Sequence, residues 1–320
     1  MKYRMPLILT GLFFFSFFVS RSQDITFYDY KFRKTDVAGA RFFSTVKRTD
    51  SGYLRNDYYM KGQTAQMSGY YADSGLKIRS GKFTYWYPNN KIKSFGEYRN
   101  NEKSGTWLSF YPDEGLMDST VYNDKGDPIG TSLRYHRNGF PSDSSIILDD
   151  GSGVRVGWFD NGNPSYAGRL AVGGEKNGRW NYFHKTGKLS AIAIYENGRI
   201  IKKEHYDESG KLLRDTVADS EAEFPGGDVG WSKFLGKVIY WPNDFKIVNA
   251  DEVIVVVEFR VDEEGMVQDV EMVVPFADAF DKIAIQAMKR SPAWKPAIQE
   301  NRKVNGYFRQ PIVFRQETEE

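Results

Sequence analysis

Cysteine is absent from the 320 residues, and histidine occurs only three times. Without cysteine there is no thiol nucleophile, disulfide staple, cysteine zinc site or lipidated N-terminal cysteine. Three histidines leave little material for a catalytic triad or a multi-histidine metal site. Charge of one sign is also missing: 44 basic residues stand against 42 acidic ones, a net +2. A dedicated nucleic-acid binder would carry a basic excess. Proline is scarce at 12 residues and scattered, so no long proline-rich spacer exists. What is abundant is aromatic side chains, 16% of the chain, together with 30 glycines. That combination reads as β-structure with many tight turns, on a chain long enough for two domains.

Lys2 and Arg4 precede an uncharged stretch from Met5 to Ser20, and Ser20 and Ser22 offer small residues at a cleavage site before Gln23. A basic start, a short apolar core and a small-residue exit form a secretory signal peptide. The competing reading is an uncleaved anchor, but the run is shorter than the roughly 20 residues of a spanning helix. Either way the remainder is expected to leave the cytoplasm. Cleavage removes Lys2, Arg4 and Arg21, leaving 41 basic against 42 acidic residues, a net −1.

The middle of the chain is repetitive. Gly81, Gly105, Gly130, Gly153 and Gly178 recur at intervals of 24, 25, 23 and 25 residues. Five positions after each stands an aromatic (Trp86, Phe110, Tyr135, Trp158, Phe183), followed by Tyr87, Tyr111, His136, Phe159 and His184. Asn138-Gly139, Asn161-Gly162 and Thr186-Gly187 then mark turns, expected as two-residue type I′ hairpins. A second turn, such as Glu196-Asn197-Gly198 or Lys176-Asn177, leads into the next unit. Looser copies lie around Tyr58 and Tyr206. One hairpin cannot bury its aromatic face alone, so successive hairpins are expected to form one long antiparallel sheet. His136 and His184 share a slot with Tyr and Phe, which makes them aromatic packing residues rather than metal or catalytic groups; His205 is read likewise.

This segment, about 58–216, resembles the MORN-repeat family, in its variant labelled toxin–antitoxin antitoxin-like. The motif is clearest at Gly105-Thr106-Trp107 and at Gly178-Arg179-Trp180 with Gly187-Lys188. The resemblance implies a β-hairpin array that contacts partners. Ser132 and Arg155 depart from the pattern where other copies carry a ring. The antitoxin label implies a cytoplasmic role, which the export signal contradicts.

After Thr216 the repeat phase stops in an acidic passage. Trp231, Phe234, Leu235, Val238 and Ile239 then follow helical spacing, started by Asp228 and stopped before Pro242. Val253–Val261 is a β-branched strand, Asp262–Gly265 a turn, and Val267–Val274 the returning strand. Phe280–Met288 is helical, and Gly306–Phe314 closes the domain. The expected order is helix, strand, strand, helix, strand: a small α+β unit after a mainly β array.

That order resembles the TonB C-terminal domain over about 221–316. The landmarks are Glu223 to Gly227, Tyr240-Trp241-Pro242, Phe259 to Val270, Ala284 through Ala297, and Val304 to Phe314 with Gln310-Pro311. The resemblance implies a periplasmic domain that grips an extended segment of an outer-membrane transporter by strand addition at a sheet edge. It assigns partner contact to Asn243, Asp244, Phe245, Lys246, Phe308, Arg309, Gln310 and Ile312. Trp241, inserted in the Tyr-Pro landmark, is a departure bearing on the first four. Phe224 to Gly227 is read as a helix-start corner. Trp294, Pro292 and Pro296 are read as ending the second helix and packing under the sheet.

The carboxylate clusters Asp149-Asp150 and Asp262-Glu263-Glu264 fall in turns and read as exposed turn acids. Gly173-Gly174 lacks the Gly-Lys-Ser/Thr ending of a phosphate loop. No nucleophile–base pair can be named, so neither catalysis nor a cofactor or metal is expected. The organisation is a signal peptide or anchor (1–22), a lead-in (23–57) that reads as an early strand pair or an approach to the array, repeats (58–216) and a TonB-like domain (217–320). The functional expectation is a non-enzymatic envelope binding protein in the periplasm, held at the inner membrane if its N-terminal segment is retained. Its partner would be a protein or peptide such as a TonB-dependent outer-membrane receptor, in transmembrane transport; nucleic acid is not expected as a partner. The alternative is an exported structural or adhesive repeat protein whose TonB-like domain is a terminal cap.

Overall fold

The computed structural model describes residues 25–214, 218–243, 245–247 and 251–316. The N-terminal segment 1–22, read above as a signal peptide or anchor, lies outside the described residues, as does Asp244. No helix among the described residues is long and apolar enough to cross a membrane.

Fifteen strands build one antiparallel sheet. The first five are β1 (Thr26–Tyr28), β2 (Phe42–Thr49), β3 (Gly52–Tyr59), β4 (Ala65–Tyr71) and β5 (Arg79–Trp86). Then come β6 (Ile92–Arg99), β7 (Glu102–Phe110), β8 (Leu116–Tyr122), β9 (Pro128–Tyr135) and β10 (Pro141–Ile147). The last five are β11 (Gly153–Trp158), β12 (Pro164–Leu170), β13 (Lys176–Phe183), β14 (Leu189–Glu196) and β15 (Arg199–His205). Spatial order equals chain order throughout, as expected of a meander. The lead-in residues supply β1, β2 and most of β3.

One face of the sheet carries large rings laid on glycines. Phe83 covers Gly69, Trp107 covers Gly96, and Trp180 covers Gly168, each so closely that a β-carbon on the glycine would collide with the ring. A cation two residues before the repeat glycine lies over this row: Arg79 over Tyr98 at 4.0 Å, Lys103 over Trp107 and Lys176 over Trp180 at 4.7 Å. These rings form two buried clusters, one around Phe83 and Trp107, the other around Trp180, Tyr182 and Tyr195.

The turns differ from the expected geometry at one rim. At Asn138-Gly139 and Asn161-Gly162 only the glycines have positive φ (86° and 82°), and the loop spans three residues, with His136 N–H donating to Phe140 at 2.8 Å. This is a type I turn closed by a left-handed residue. It leaves the asparagine amide free to reach across: Asn138 donates to the Asp160 carbonyl at 2.7 Å and Asn161 to that of Lys185 at 3.0 Å. Both central residues have positive φ at the other rim, in Asn100-Asn101 and Asn197-Gly198. Lys176-Asn177, expected as a turn, begins β13; the reversal is made by Gly173 and Gly174 (φ 85° and 83°), whose freedom allows it earlier.

The aromatic slot shared by tyrosine and histidine is a hydrogen-bonding ladder. Tyr59, Tyr87 and Tyr111 hydroxyls donate to the carbonyls of Trp86, Phe110 and Tyr135 at 3.0, 2.8 and 2.7 Å. Nε2 of His136 and of His184 meets the Trp158 and Tyr206 carbonyls, each at 2.9 Å. Because a carbonyl only accepts, each imidazole must carry its proton on Nε2. Both histidines thus pack as expected while also tying each repeat to the next.

The C-terminal part comprises α1 (Gly227–Val238), β16 (Glu252–Val261), β17 (Val267–Val274), α2 (Asp278–Lys289), β18 (Ala297–Gln299), β19 (Arg302–Val304) and β20 (Gly306–Arg315). The expected order holds, with the β18–β19 hairpin added. Three strands form a sheet in the order β17-β16-β20. Val253, Val255, Val257, Phe259 and Val261 alternate onto the helical face, where they pack with Phe280, Met288, Ile312 and Phe314. Trp294 (7% exposed) packs among Phe224, Trp231 and Phe308, and Gly226 (φ 82°) turns the chain into α1, as both landmarks were read.

Val256, on the opposite face of β16, is also buried, because Phe42 and Tyr59 of the array cover it together with Val273 and Val274. An apolar run with no alternation is the mark of a strand covered on both faces.

Candidate partner-binding edge

Among the described residues β20 pairs with β16 alone, so its other edge is open along ten residues. Pro311 lies in this strand opposite Val256 without interrupting the pairing. A proline has no N–H for the ladder, so its nitrogen belongs on the open side. Gln316 N–H donates to the Asp251 carbonyl at 2.8 Å, continuing the β16 side with an even-numbered residue. By alternation the N–H groups of Tyr307, Arg309, Val313 and Arg315 therefore point to the open edge.

Side chains follow the same alternation. Ile312 is buried in the core, Phe308 stacks on Phe259 at 5.4 Å, and Gln310 Oε1 accepts from the Trp231 indole at 3.2 Å. A partner along β20 would meet these three residues through the main chain. Arg309 has both an outward N–H and an exposed side chain, which holds Glu258 at 2.6 Å. In the first group, Asn243 and Lys246 are exposed, whereas Phe245 packs edge-on against Phe280 at 5.0 Å. The inserted Trp241 has a structural role: its indole donates to the Phe245 carbonyl and its ring meets Phe280 at 5.0 Å. Motif reading found the strand; the outward N–H positions and Tyr307 needed the register, for which Pro311 was the available sequence signal.

The array holds the domain by its other face. Arg41 Nε donates to the Ile254 carbonyl at 2.9 Å, with its guanidinium 4.6 Å from the Phe276 ring. Lys61 bridges Asp278 and Asp281 at 2.5 and 2.7 Å. Burial raises the Asp281 carboxyl above its ordinary range, and Lys61 opposes that rise. Arg137 pairs with Glu271. From β19, Arg302 enters a cage of Phe159, Tyr166 and Tyr182, each 5.5–5.7 Å away, and donates to Ser165. Burial lowers its pKa, the neighbouring tyrosines working the other way.

The acidic clusters divide. Asp150 and Asp262 cap their own turns, accepting from Ser152 and Met266 N–H groups at 2.9 and 2.7 Å. Glu263 is not the exposed turn acid expected: it is 5% exposed and faces Lys185 of the array at 3.3 Å. Interdomain packing, invisible in a local motif, accounts for the difference.

Residues 250–316 match the family described as Gram-negative bacterial TonB protein C-terminal, and residues 79–100 match the MORN repeat variant. No curated protein matches the chain. Both matched stretches are shorter than the resemblances read from the sequence. A 15-stranded hairpin array carrying the MORN-variant match in one stretch is thus followed by a small α+β module carrying the TonB C-terminal match. The matched stretch suggests a TonB-like envelope protein; TonB C-terminal domains generally interact with proteins and are generally non-enzymatic.

Proposed function

We propose that the protein is an exported, non-enzymatic envelope binding protein whose β20 edge takes up an extended segment of an outer-membrane transporter as an added strand. The observation that carries this reading is the open edge of β20 within the stretch matched to the TonB C-terminal family. Main-chain hydrogen bonds give such binding its affinity. The basic, apolar and small-residue order of 1–22 supports export. A role in transport requires that segment to stay as an anchor, because a cleaved protein binds a partner without pulling on it.

The test is calorimetric titration of the full chain with peptides copying the periplasm-facing N-terminal segments of TonB-dependent receptors. Arg309→Pro deletes one outward N–H while leaving the β16 ladder intact, and should weaken binding at least about tenfold, the loss expected from a main-chain bond and its neighbours. Unaltered affinity in that variant, or absence of binding in the native chain, refutes the reading. The terminal-cap alternative draws on the clamp from Arg41, Lys61 and Arg302, and a chain that binds no peptide but loses array stability when 218–316 is removed would favour it.

A further inference from the structure

The ring row of the array is broken at its centre. Where Phe83, Trp107 and Trp180 stand in their repeats, the two middle copies carry Ser132 and Arg155. The cations are missing from the same copies: Pro128 and Gly151 occupy the positions of Arg79, Lys103 and Lys176. The glycines beneath the rings have also gone, replaced by Thr120 and Ser145, which pair into the same row. Three linked positions change together, so the gap is a built feature of the array rather than one lost ring.

Over this gap lies a cleft of about 1060 Å³, roofed by Arg260, Asp269, Asn305 and Tyr307 of the C-terminal module. Its array walls hold two ion pairs, Arg134 with Asp118 and Arg155 with Asp143, each closed through the arginine Nε at 2.8 Å. Arg260 is paired with Asp269 in the same way, at 2.8 Å. Tyr307, 77% exposed, adds a ring and a hydroxyl, while the Tyr111 and Tyr166 hydroxyls in the lining donate to the Tyr135 carbonyl and to Asp143. Ser132, 8% exposed on the same sheet face, has a hydroxyl without a partner among the described residues.

We propose that this cleft is a binding site for a neutral, hydroxyl-rich ligand, a short saccharide. Four aspartates, four arginines and Lys103 line the cleft; Asp118, Asp143 and Asp269 are held by arginines and Asp160 by Lys185, so an anion meets four aspartates and a cation meets five fixed cations. An apolar ligand would strip water from these groups and leave their remaining donors and acceptors unpaired. A sugar hydroxyl both donates and accepts, which suits arginine Nη groups and aspartate oxygens set side by side. The exposed Tyr307 ring offers apolar contact to the C–H side of a sugar ring. Concavity, size and a few fixed polar groups are the usual attributes of a ligand site. The cleft shares Tyr307 with the β20 edge, using its side chain rather than its main-chain N–H, and the proposal does not rest on strand addition there.

Saturation-transfer NMR on the full chain tests it, with maltotriose, cellotriose and triacetylchitotriose as probes. Trigalacturonic acid and the neutral tripeptide amide Ac-Ser-Ala-Ser-NH2 serve as counter-probes. Transfer is expected to at least one neutral trisaccharide and to neither counter-probe. Tyr307→Ala, which removes an exposed side chain, should weaken that binding about tenfold. Thr120→Gly with Ser132→Trp rebuilds the ring-on-glycine pair inside the gap and should abolish it, whereas Phe95→Ala, on the opposite sheet face, should leave it unchanged. Transfer to none of the three sugars, equal transfer to either counter-probe, or binding indifferent to Tyr307→Ala overturns the proposal.

Discussion

The indole of Trp180 lies flat on Gly168, so closely that the glycine has no room for a β-carbon. Its φ is not positive, so the requirement is steric and owes nothing to backbone conformation. Gly168→Ala should therefore destabilise the array by roughly 1–3 kcal/mol, the usual cost of overpacking a core. Urea denaturation followed by indole fluorescence measures it. Gly236, inside α1 with nothing near its β-position, is the contrast: Gly236→Ala should stabilise by about 0.4–1 kcal/mol.

The Tyr87 hydroxyl reaches the Phe110 carbonyl of the next repeat at 2.8 Å. Tyr87→Phe keeps the ring and removes the donor, so a loss of about 1 kcal/mol is expected. Phe159 occupies this slot naturally, which shows that the array tolerates one missing rung. A Tyr87→Phe chain as stable as the native one in the same urea titration would show that the ladder contributes packing alone.

Arg302 joins the module to the array through a buried cage, with Ser165 accepting from its Nη1. Arg302→Met retains much of the volume but leaves the Ser165 carbonyl without its donor, at about 2–3 kcal/mol for a lost charged hydrogen bond. Scanning calorimetry should then resolve two transitions where the native chain shows one. A single transition at the native temperature in the variant would mean that the remaining contacts, from Arg41, Lys61 and Arg137, suffice to couple the two parts.

His205 is 3% exposed, and neither ring nitrogen has a partner among the described residues. Burial, with Lys203 nearby, lowers its pKa from 6.5. The folded chain thus resists a proton that the unfolded chain accepts. Above about pH 6.5 both states hold a neutral ring and nothing is lost; as pH falls from there towards the folded pKa, stability declines. Buried carboxylates such as Asp57 and Asp281, whose pKa values burial raises, act in the opposite sense. The measurement is accordingly a difference: the stability of His205→Leu should decline less than that of the native chain between pH 7 and 5.

The repeat period, the hairpin order and the helices and strands of the C-terminal module were legible in the residues themselves, because each depends on local spacing: glycine to aromatic, alternation along β16, helical spacing in α1 and α2. Even the break at Ser132 and Arg155 could be read as a missing ring. The turn type could not, since Asn-Gly serves both a two-residue and a three-residue reversal, and the choice rests on what the asparagine amide reaches in the next repeat. Nor could the burial of Glu263 and Arg302, or the cover over Val256, whose partners stand far away in sequence. The open edge was half visible: β20 was identified, but which of its residues turn their N–H groups outward depends on register with β16. Sequence alone thus determined the period and the modules, through contacts between near neighbours. Tertiary structure decided how the array clasps the module and what cleft remains between them, because those contacts form only once distant segments are brought together.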